Sequence, residues 1–480
     1  MKCSIMQPDL TPCALEYAET GIVTPERMRA IDANAQALGV SGLQLMESAG
    51  KALAEAALAY SPKNVLVLCG RGNNGGDGMA AARYLQRGVD TTVCYLDSGS
   101  RSPSCARQLE ALKGARVTLR PFVSTDDLRT LASVFSKADV IVDALLGTGI
   151  SGAPREPLAT CIAMANTSSA KIVAADIPSP GMRADRICAF HRPKVQGSEV
   201  IDIGIPIEAE ICTGPGDLTL IPAGKQTRHK GDGGSVLVIG GGPYQGAPYL
   251  AGLGALRAGA DIVRIASPVF VPVPDLIYEH LFGDRVGEEH TELLIGLAEK
   301  ADVVVCGNGL GQESHGAVLA IAPYCKKVVF DADAIRLPLP KAAKESVFTP
   351  HAGEFARIAP GHPLPKDAAD ACGRAKAAQA AAKDLGATLL LKGPVDVITD
   401  GARVRFNRTG DPAMSVGGTG DVLAGVTGAL LCHLPAFEAA CIAAYVTGKA
   451  GERVAATKGE GMLASDLVHH IPEELYRRES

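Results

Sequence analysis

Short β-branched runs alternate with Ala-rich stretches along this chain, and a polar cluster, often Gly-rich, follows each run. Val65-Leu66-Val67-Leu68 leads into Gly70-Arg71-Gly72-Asn73-Asn74-Gly75-Gly76-Asp77-Gly78. Asp139-Val140-Ile141-Val142 leads into Asp143-Ala144-Leu145-Leu146-Gly147-Thr148-Gly149, and Lys171-Ile172-Val173-Ala174-Ala175 into Asp176-Ile177-Pro178-Ser179. Each run reads as a buried strand closed by a polar turn, with helices such as Met79 to Arg87 between them. That order predicts an α/β fold, an open parallel sheet with helices on both faces. Ligands bind such sheets beyond the carboxyl ends of the strands, so three motifs can converge on one crevice.

The pattern restarts after a stretch rich in turn formers, Gly214-Pro215-Gly216-Asp217 to Ile221-Pro222-Ala223-Gly224. Ser235 to Ile239 opens a second series, followed by Gly240-Gly241-Gly242 and a helix over Ala247 to Ala258. Further strands are expected at Val303–Val305, Val328–Phe330 and Leu389–Leu391. The expected domains are therefore 1–224 and 225–480.

Composition narrows the function classes. The 480 residues are 47% apolar and 21% charged, as in soluble globular proteins. Lys and Arg number 47 and Asp and Glu 52, so the net charge is 47 − 52 = −5. That charge is too small and too mixed for general nucleic-acid binding, and with 4% aromatics and no Trp, stacking platforms are scarce. No apolar run approaches the roughly 20 residues that a bilayer span needs. Met1-Lys2-Cys3-Ser4 opens no secretory signal. The 13 cysteines include no Cys-x-x-Cys pair, which disfavours zinc ribbons and Fe–S sites. They are expected to be reduced, buried thiols in a cytoplasmic protein.

The Gly70–Gly78 segment lets backbone N–H groups approach a phosphate, backed by the positive end of a helix. It lacks the Gly-Lys-Ser/Thr of a Walker loop. Asp143 and Asp176 at strand ends are either half-buried carboxylates aimed at the crevice or helix caps. In the second half, Gly418-Thr419-Gly420 reads as a turn that opens a helix, an anion site with Asp421 in the first turn. Asp421 can take a proton from an attacking hydroxyl, or merely cap the helix. Lys392-Gly393-Pro394-Val395-Asp396 fits a loop beneath a nucleotide or an ordinary loop. His351 is structural or functional, and Asp331 and Asp333 attract Mg²⁺ or are solvated.

The first three motifs together resemble the YjeF N-terminal family, the NAD(P)H-hydrate epimerases, over about residues 20 to 207. The resemblance implies a Rossmann-like three-layer sandwich. It also implies that Asn73, Asn74, Gly75, Gly76 and Asp77, with Gly147, Thr148, Gly149, Ile150, Ser151, Gly152 and Ala153, hold the phosphates and ribose of the damaged cofactor. Asp176 matches the acid/base residue beside the hydrated nicotinamide ring. Asn74, Asp143 and Ser179 match the K⁺-binding positions, and all three offer hard oxygen ligands. The sequence departs from the family downstream. Pro180 precedes Gly181, and Met182–Gly197 is short enough that a helix or strand edge is expected to be missing before a strand at Asp202–Pro206.

Gly246 to Gly252, Ala255 to Ala260, Cys306 to Gly311, Pro350 to Glu354 and Gly417 to Gly425 resemble a second family over about residues 228 to 472. It is the YjeF C-terminal, ribokinase-like, ADP/ATP-dependent NAD(P)H-hydrate dehydratases. The resemblance implies that Ala247, Gly309, His351 and Asp421 contact the hydrated cofactor. Lys392, Gly393, Pro394, Val395, Asp396 and Gly420 would contact the adenine nucleotide. Asn308 stands where Pro is usual, and Asp396 where Thr is common. Together the two resemblances imply metabolite repair: epimerisation of hydrated NADH and NADPH, then dehydration of the S form with ADP or ATP, ADP being favoured. The implied cofactors are K⁺ and Mg²⁺. The partners are small molecules, with no nucleic acid or membrane, and a homo-oligomer is expected. Two other readings remain: a ribokinase-type small-molecule kinase, or a dehydratase whose N-terminal half is only a nucleotide-binding scaffold.

Overall fold

The computed structural model describes residues 10–149, 152–222 and 232–476. They form two compact units: Glu19–Pro206, and a unit that joins the start of the chain, up to Ala18, to Ile207 and beyond. Gly224 and Lys225, where the boundary was expected, lie outside the described residues. The units divide earlier, because the segment after Pro206 is packed rather than a linker. Its helix Ile207–Ile211 leads into Thr213, whose N–H donates to Phe406 O (2.8 Å). Asp217 then makes a buried ion pair with Arg405 (2.6 Å).

In the Glu19–Pro206 unit, β1 (Asn64–Cys69), β2 (Asp90–Leu96), β3 (Thr118–Phe122), β4 (Val140–Ala144), β5 (Lys171–Ala175), β6 (Arg186–Phe190) and β7 (Glu199–Ile201) form one sheet. The order is β3-β2-β1-β4-β5-β6-β7, every pair parallel. The winding reverses between β1 and β4, which opens a crevice at their carboxyl ends. The apolar runs are continuous because both faces are covered: Val65 to Cys69 are all at most 2% exposed. The Gly-rich segment is mostly helical, the helix running from Asn73 to Leu85 rather than starting near Met79. A Cβ on Gly75 would lie 2.2 Å from Gly70 O, so only glycine lets the helix begin so close to β1.

The compressed Met182–Gly197 stretch holds one strand, β6, and β7 follows it. Asp202–Pro206 is not a strand, contrary to expectation. Asp202 Oδ1 accepts the N–H of Gly204 (2.8 Å), and Gly204 turns through a φ of +85°.

The other unit holds β8 (Ser235–Ile239), β9 (Ile262–Ser267), β10 (Ile277–His280), β11 (Val303–Cys306), β12 (Lys327–Phe330), β13 (Glu345–Phe348), β14 (Thr388–Leu391), β15 (Asp396–Thr399) and β16 (Val404–Asn407). The order is β10-β9-β8-β11-β12-β13-β14-β15-β16. Only the pairs β14–β15 and β15–β16 are antiparallel. Successive side chains enter opposite cores: Leu237, Val304 and Leu389 one, Val238, Val305 and Leu390 the other. Both faces are helix-covered, a three-layer arrangement.

Leu10, Cys13, Ala14 and Tyr17 are buried in the first of those cores. Cys13 and Cys372 form a disulfide, which corrects the expectation of reduced thiols throughout. The two cysteines are 359 residues apart, so no local spacing could reveal the pair. The remaining described cysteines are free and buried, with Cys432 partly so. Among the described residues, no helix is long and apolar enough to cross a membrane.

Candidate functional site

A cavity of about 540 Å³ lies at the carboxyl ends of β1, β4 and β5 in the Glu19–Pro206 unit. Asn73, Asn74, Asp77, Gly147, Thr148, Gly149 and Asp176 line it, as expected. Gly75 and Gly76 are buried in the helix behind the rim, and Gly152 and Ala153 do not line the cavity. Ile150 and Ser151 lie outside the described residues.

Asp176 sits just after β5 with a φ of +63°, a strained conformation for a non-glycine residue. Its Oδ1 accepts the Phe190 N–H (3.2 Å) and the Lys194 ammonium (2.5 Å). The Lys194 side chain is 4% exposed, and its Nζ also donates to Phe190 O (2.7 Å). Asp32 lines the same cavity from the helix Pro25–Ala37. Burial and the Asp176 charge, offset in part by Lys194, push Asp32 up to about 6. Burial, with Asp176 and Asp32 nearby, pushes Asp77 well above the usual carboxylate range. Three carboxylates therefore share one ammonium, and two of them hold protons more tightly than ordinary Asp.

Beneath the cavity, Asp143 is fully buried. Its Oδ2 accepts the Ser179 N–H (2.7 Å), and its Oδ1 accepts the Ser179 hydroxyl (2.7 Å) and the Leu145 N–H (3.2 Å). Burial outweighs these bonds and raises its pKa. Asn74 Nδ2 donates to Leu146 O (2.9 Å), whereas Asn74 Oδ1 is buried with no hydrogen-bond partner. Asn74, Asp143 and Ser179 offer hard oxygens of the kind an s-block cation takes, and that of Asn74 has no other partner.

In the other unit, β8, β11, β12, β13 and β14 end in Gly240, Gly307-Asn308-Gly309, Asp331, Pro350-His351 and Lys392. Gly418 has a φ of +99° and opens the helix Thr419–Leu431, with Asp421 in its first turn. Asn308 Nδ2 donates to Asp421 Oδ1 (2.7 Å) and to Asp331 Oδ2 (3.1 Å). Asp331 Oδ1 accepts the Thr349 hydroxyl (2.7 Å) and the Lys392 ammonium (3.0 Å). Asp331 is 2% exposed, so its carboxylate is bonded inside the protein rather than solvated. Asp333 Oδ2 accepts the Gly311 N–H (2.8 Å).

Burial and the Asp331 charge push Asp421 up to about 7, against the pull of Asn308 and Lys392. Burial lowers Lys392, but Asp331 and Glu354 outweigh it and hold the amine above its ordinary value. A Cβ on Gly420 would lie 3.3 Å from Lys392 Nζ, so the ammonium sits against the helix opening. A Cβ on Gly309 would lie 3.2 Å from Ala247 Cβ, so these two residues also meet.

His351 caps the helix Ala352–Ile358: its Nδ1 accepts the N–H groups of Gly353 (3.0 Å) and Glu354 (3.3 Å). With Nδ1 accepting, a neutral ring carries its proton on Nε2. The side chain is 58% exposed, and its Nε2 lies 3.4 Å from Glu354 Oε1. In the Lys392–Asp396 loop, Asp396 accepts from Gly393 N–H (3.0 Å) and Asn407 Nδ2 (3.0 Å). Its carboxylate shapes the loop, the Val395 side chain is buried in the core, and the Lys392 ammonium is held by Asp331.

Sequence reasoning missed Asp32, Lys194, Thr349 and Glu354 as site residues. Lys194 lies in an irregular loop and Asp32 on a helix, so neither follows an apolar run. Asn308 stood out only as a departure from a pattern.

Residues 236–473 match the NAD(P)H-hydrate dehydratase family model, and residues 42–206 match that of the YjeF-related protein N-terminus. The chain is 56% identical to the bifunctional NAD(P)H-hydrate repair enzyme of Methanospirillum hungatei, over 98% of this chain and 97% of that one. It is 32% identical to the Escherichia coli enzyme of the same name, over 90% and 89%. A solved ADP/ATP-dependent NAD(P)H-hydrate dehydratase from Bacillus subtilis, co-crystallised with ATP and Mg²⁺, is 28% identical. It aligns with 56% of this chain and 98% of its own, with a TM-score of 0.48. With both halves matched and full-length relatives at this identity, the chain belongs to the family of bifunctional NAD(P)H-hydrate repair enzymes.

Proposed function

We propose that the chain restores hydrated NADH and NADPH, with the Glu19–Pro206 unit interconverting the C6 epimers and the other unit dehydrating the S form. The observation that carries the dehydratase reading is the meeting of Asp421, Lys392 and the Gly418–Gly420 helix opening at one place. Hydroxide is a poor leaving group from C6. Asp421 takes the proton of the 6-hydroxyl as its oxygen attacks the terminal phosphorus of ADP or ATP. The amides of Gly418 to Gly420 and the Lys392 ammonium steady the transferring phosphoryl group. The ring nitrogen lone pair then expels phosphate, and loss of the C5 proton restores the C5=C6 bond. With ADP, the products are the dihydronicotinamide, AMP and phosphate.

Mg²⁺ would neutralise the nucleotide's charge. ADP is the expected donor, with activity in the cytoplasm as a homo-oligomer. Within this unit, Ala247, Gly309 and His351 would contact the hydrated cofactor.

Epimerisation needs a proton for the departing hydroxyl and a base for the water that returns to the other ring face. The carboxylates of Asp32, Asp77 and Asp176 around Lys194 supply both kinds of group. Asp176 makes the proton transfer nearest the ring, and Lys194 holds its carboxylate in place. Asn74, Asp143 and Ser179 would hold K⁺, which fixes the Asn74 and Leu145–Leu146 rim of the cavity.

The test is to supply mixed hydrate, Mg²⁺ and either nucleotide, and to follow the dihydronicotinamide absorbance. Absorbance should return only with ADP or ATP present. Equal recovery by dialysed, nucleotide-free enzyme rules the reading out, and a stable phosphorylated product would indicate a simple kinase.

K⁺ binding makes a separate prediction. Asp143→Asn preserves the shape of the side chain but removes its charge. The K⁺ concentration for half-maximal epimerisation should rise at least about tenfold. Dehydration of pure S epimer should stay near the parent rate. An unchanged K⁺ requirement removes Asp143 from the ion's ligand set.

A further inference from the structure

We propose that Asn308 is a positioning residue for dehydration, its side-chain amide bridging Asp331 and Asp421 so that one oxygen of Asp421 is tied and the other left for the substrate proton. The inference rests on the reading of Asp421 as the base.

Asn308 is fully buried. Its Nδ2 carries two hydrogens, and the two carboxylates take both, at 2.7 Å and 3.1 Å. That geometry fixes the amide's orientation, because a flipped amide would set its oxygen against two acidic side chains. Asn308 Oδ1 is buried with no hydrogen-bond partner. An orphaned acceptor is costly, and a residue kept only for packing would not carry one. The backbone is pinned as well: Gly241 N–H donates to Asn308 O (2.9 Å). Gly307 before it has a φ of +125°, and a Cβ there would lie 1.7 Å from Asp331 O. The turn therefore delivers the amide to a fixed place between the ends of β11 and β12.

Asp331 cannot drift, since Thr349, Lys392 and Asn308 all donate to it. Asn308 thus links a fixed carboxylate to the one that must react. The charged groups acting on Asp421 are Asp331 and Lys392, with Glu354 and His351 beyond Lys392 at the start of the next helix. Asp331 disfavours the ionised base, and Asn308 and Lys392 favour it.

Asn308→Leu has a similar size and no donor. For dehydration of pure S epimer, the acidic limb of the kcat profile should move up by about one pH unit, the scale of one charge-assisted hydrogen bond. The rate at pH 6 should fall about tenfold and recover on the alkaline side, with KM for ADP within about twofold of the parent. Should Asn308→Leu fail to fold, Asn308→Ser, which keeps a single donor, should move the limb in the same direction by less. A limb that stays in place in a folded variant overturns the proposal. Asp421→Asn assayed in parallel separates the two readings. If it is inactive while the Asn308 variants keep the parent profile, only the positioning role fails. If it works at the parent rate, the base assignment fails first.

Discussion

Asp421→Asn should slow dehydration of the S epimer by roughly 10²–10⁴-fold, the range for loss of a general base. Nucleotide affinity should hold or tighten slightly, because the amides of Gly418 to Gly420 remain and a repulsive charge beside the phosphates is gone. The pH profile gives a second readout. A base must be deprotonated to act, and Asp421 is pushed up to about 7. In the parent, kcat/KM should therefore climb as pH rises toward 7 and level off above it. The Asn variant's residual rate should lack that limb. A variant that dehydrates at the parent rate would reduce Asp421 to a helix cap.

Asp176→Asn should have the opposite phenotype. Dehydration of the S epimer persists, while the R epimer is stranded, with epimerisation slowed by roughly 10²–10⁴-fold. Lys194→Met should share the defect, since the ammonium holds the Asp176 carboxylate at 2.5 Å. Mixing the Asp421→Asn and Asp176→Asn proteins should restore conversion of both epimers, because the hydrate can diffuse between them. Chromatography of the two epimers over time reads all of this directly. If Asp176→Asn interconverts the epimers at the parent rate, the proton transfer belongs elsewhere, with Asp32 and Asp77 the next groups to replace.

The parts of the fold legible in the sequence were those under the strongest single constraint. β1, β5 and β8 are buried on both faces, so each reads as an unbroken apolar run whatever lies around it. β10 and β7 lie at sheet edges, short and partly exposed, and leave no such run. The Gly-rich segment suggested a turn open to a phosphate, but its helical start at Asn73 was hidden by the poor helix propensity of glycine. Tight backbone approach decided the matter. The site divided in the same way. Asp143, Asp176 and Asp421 follow strands or open a helix, where position itself suggests chemistry. Lys194 and Asp32 reach the cavity from a loop and from a helix flank, and only three-dimensional proximity connects them to Asp176.

The burial of Leu10, Cys13, Ala14 and Tyr17 beside residues such as Cys372 has a consequence for synthesis. The Glu19–Pro206 unit is one unbroken piece of chain and can close once its last strand leaves the ribosome. The surrounding unit cannot. Its opening segment is made first, yet the walls that receive it are made hundreds of residues later. The early-made unit is thus an insertion inside the late-finished one, and the nascent chain carries an unsatisfied apolar end until translation is nearly done. Cutting the gene between Pro206 and Ile207 would not yield two whole proteins, because the downstream product would lack the piece that the ribosome delivers first.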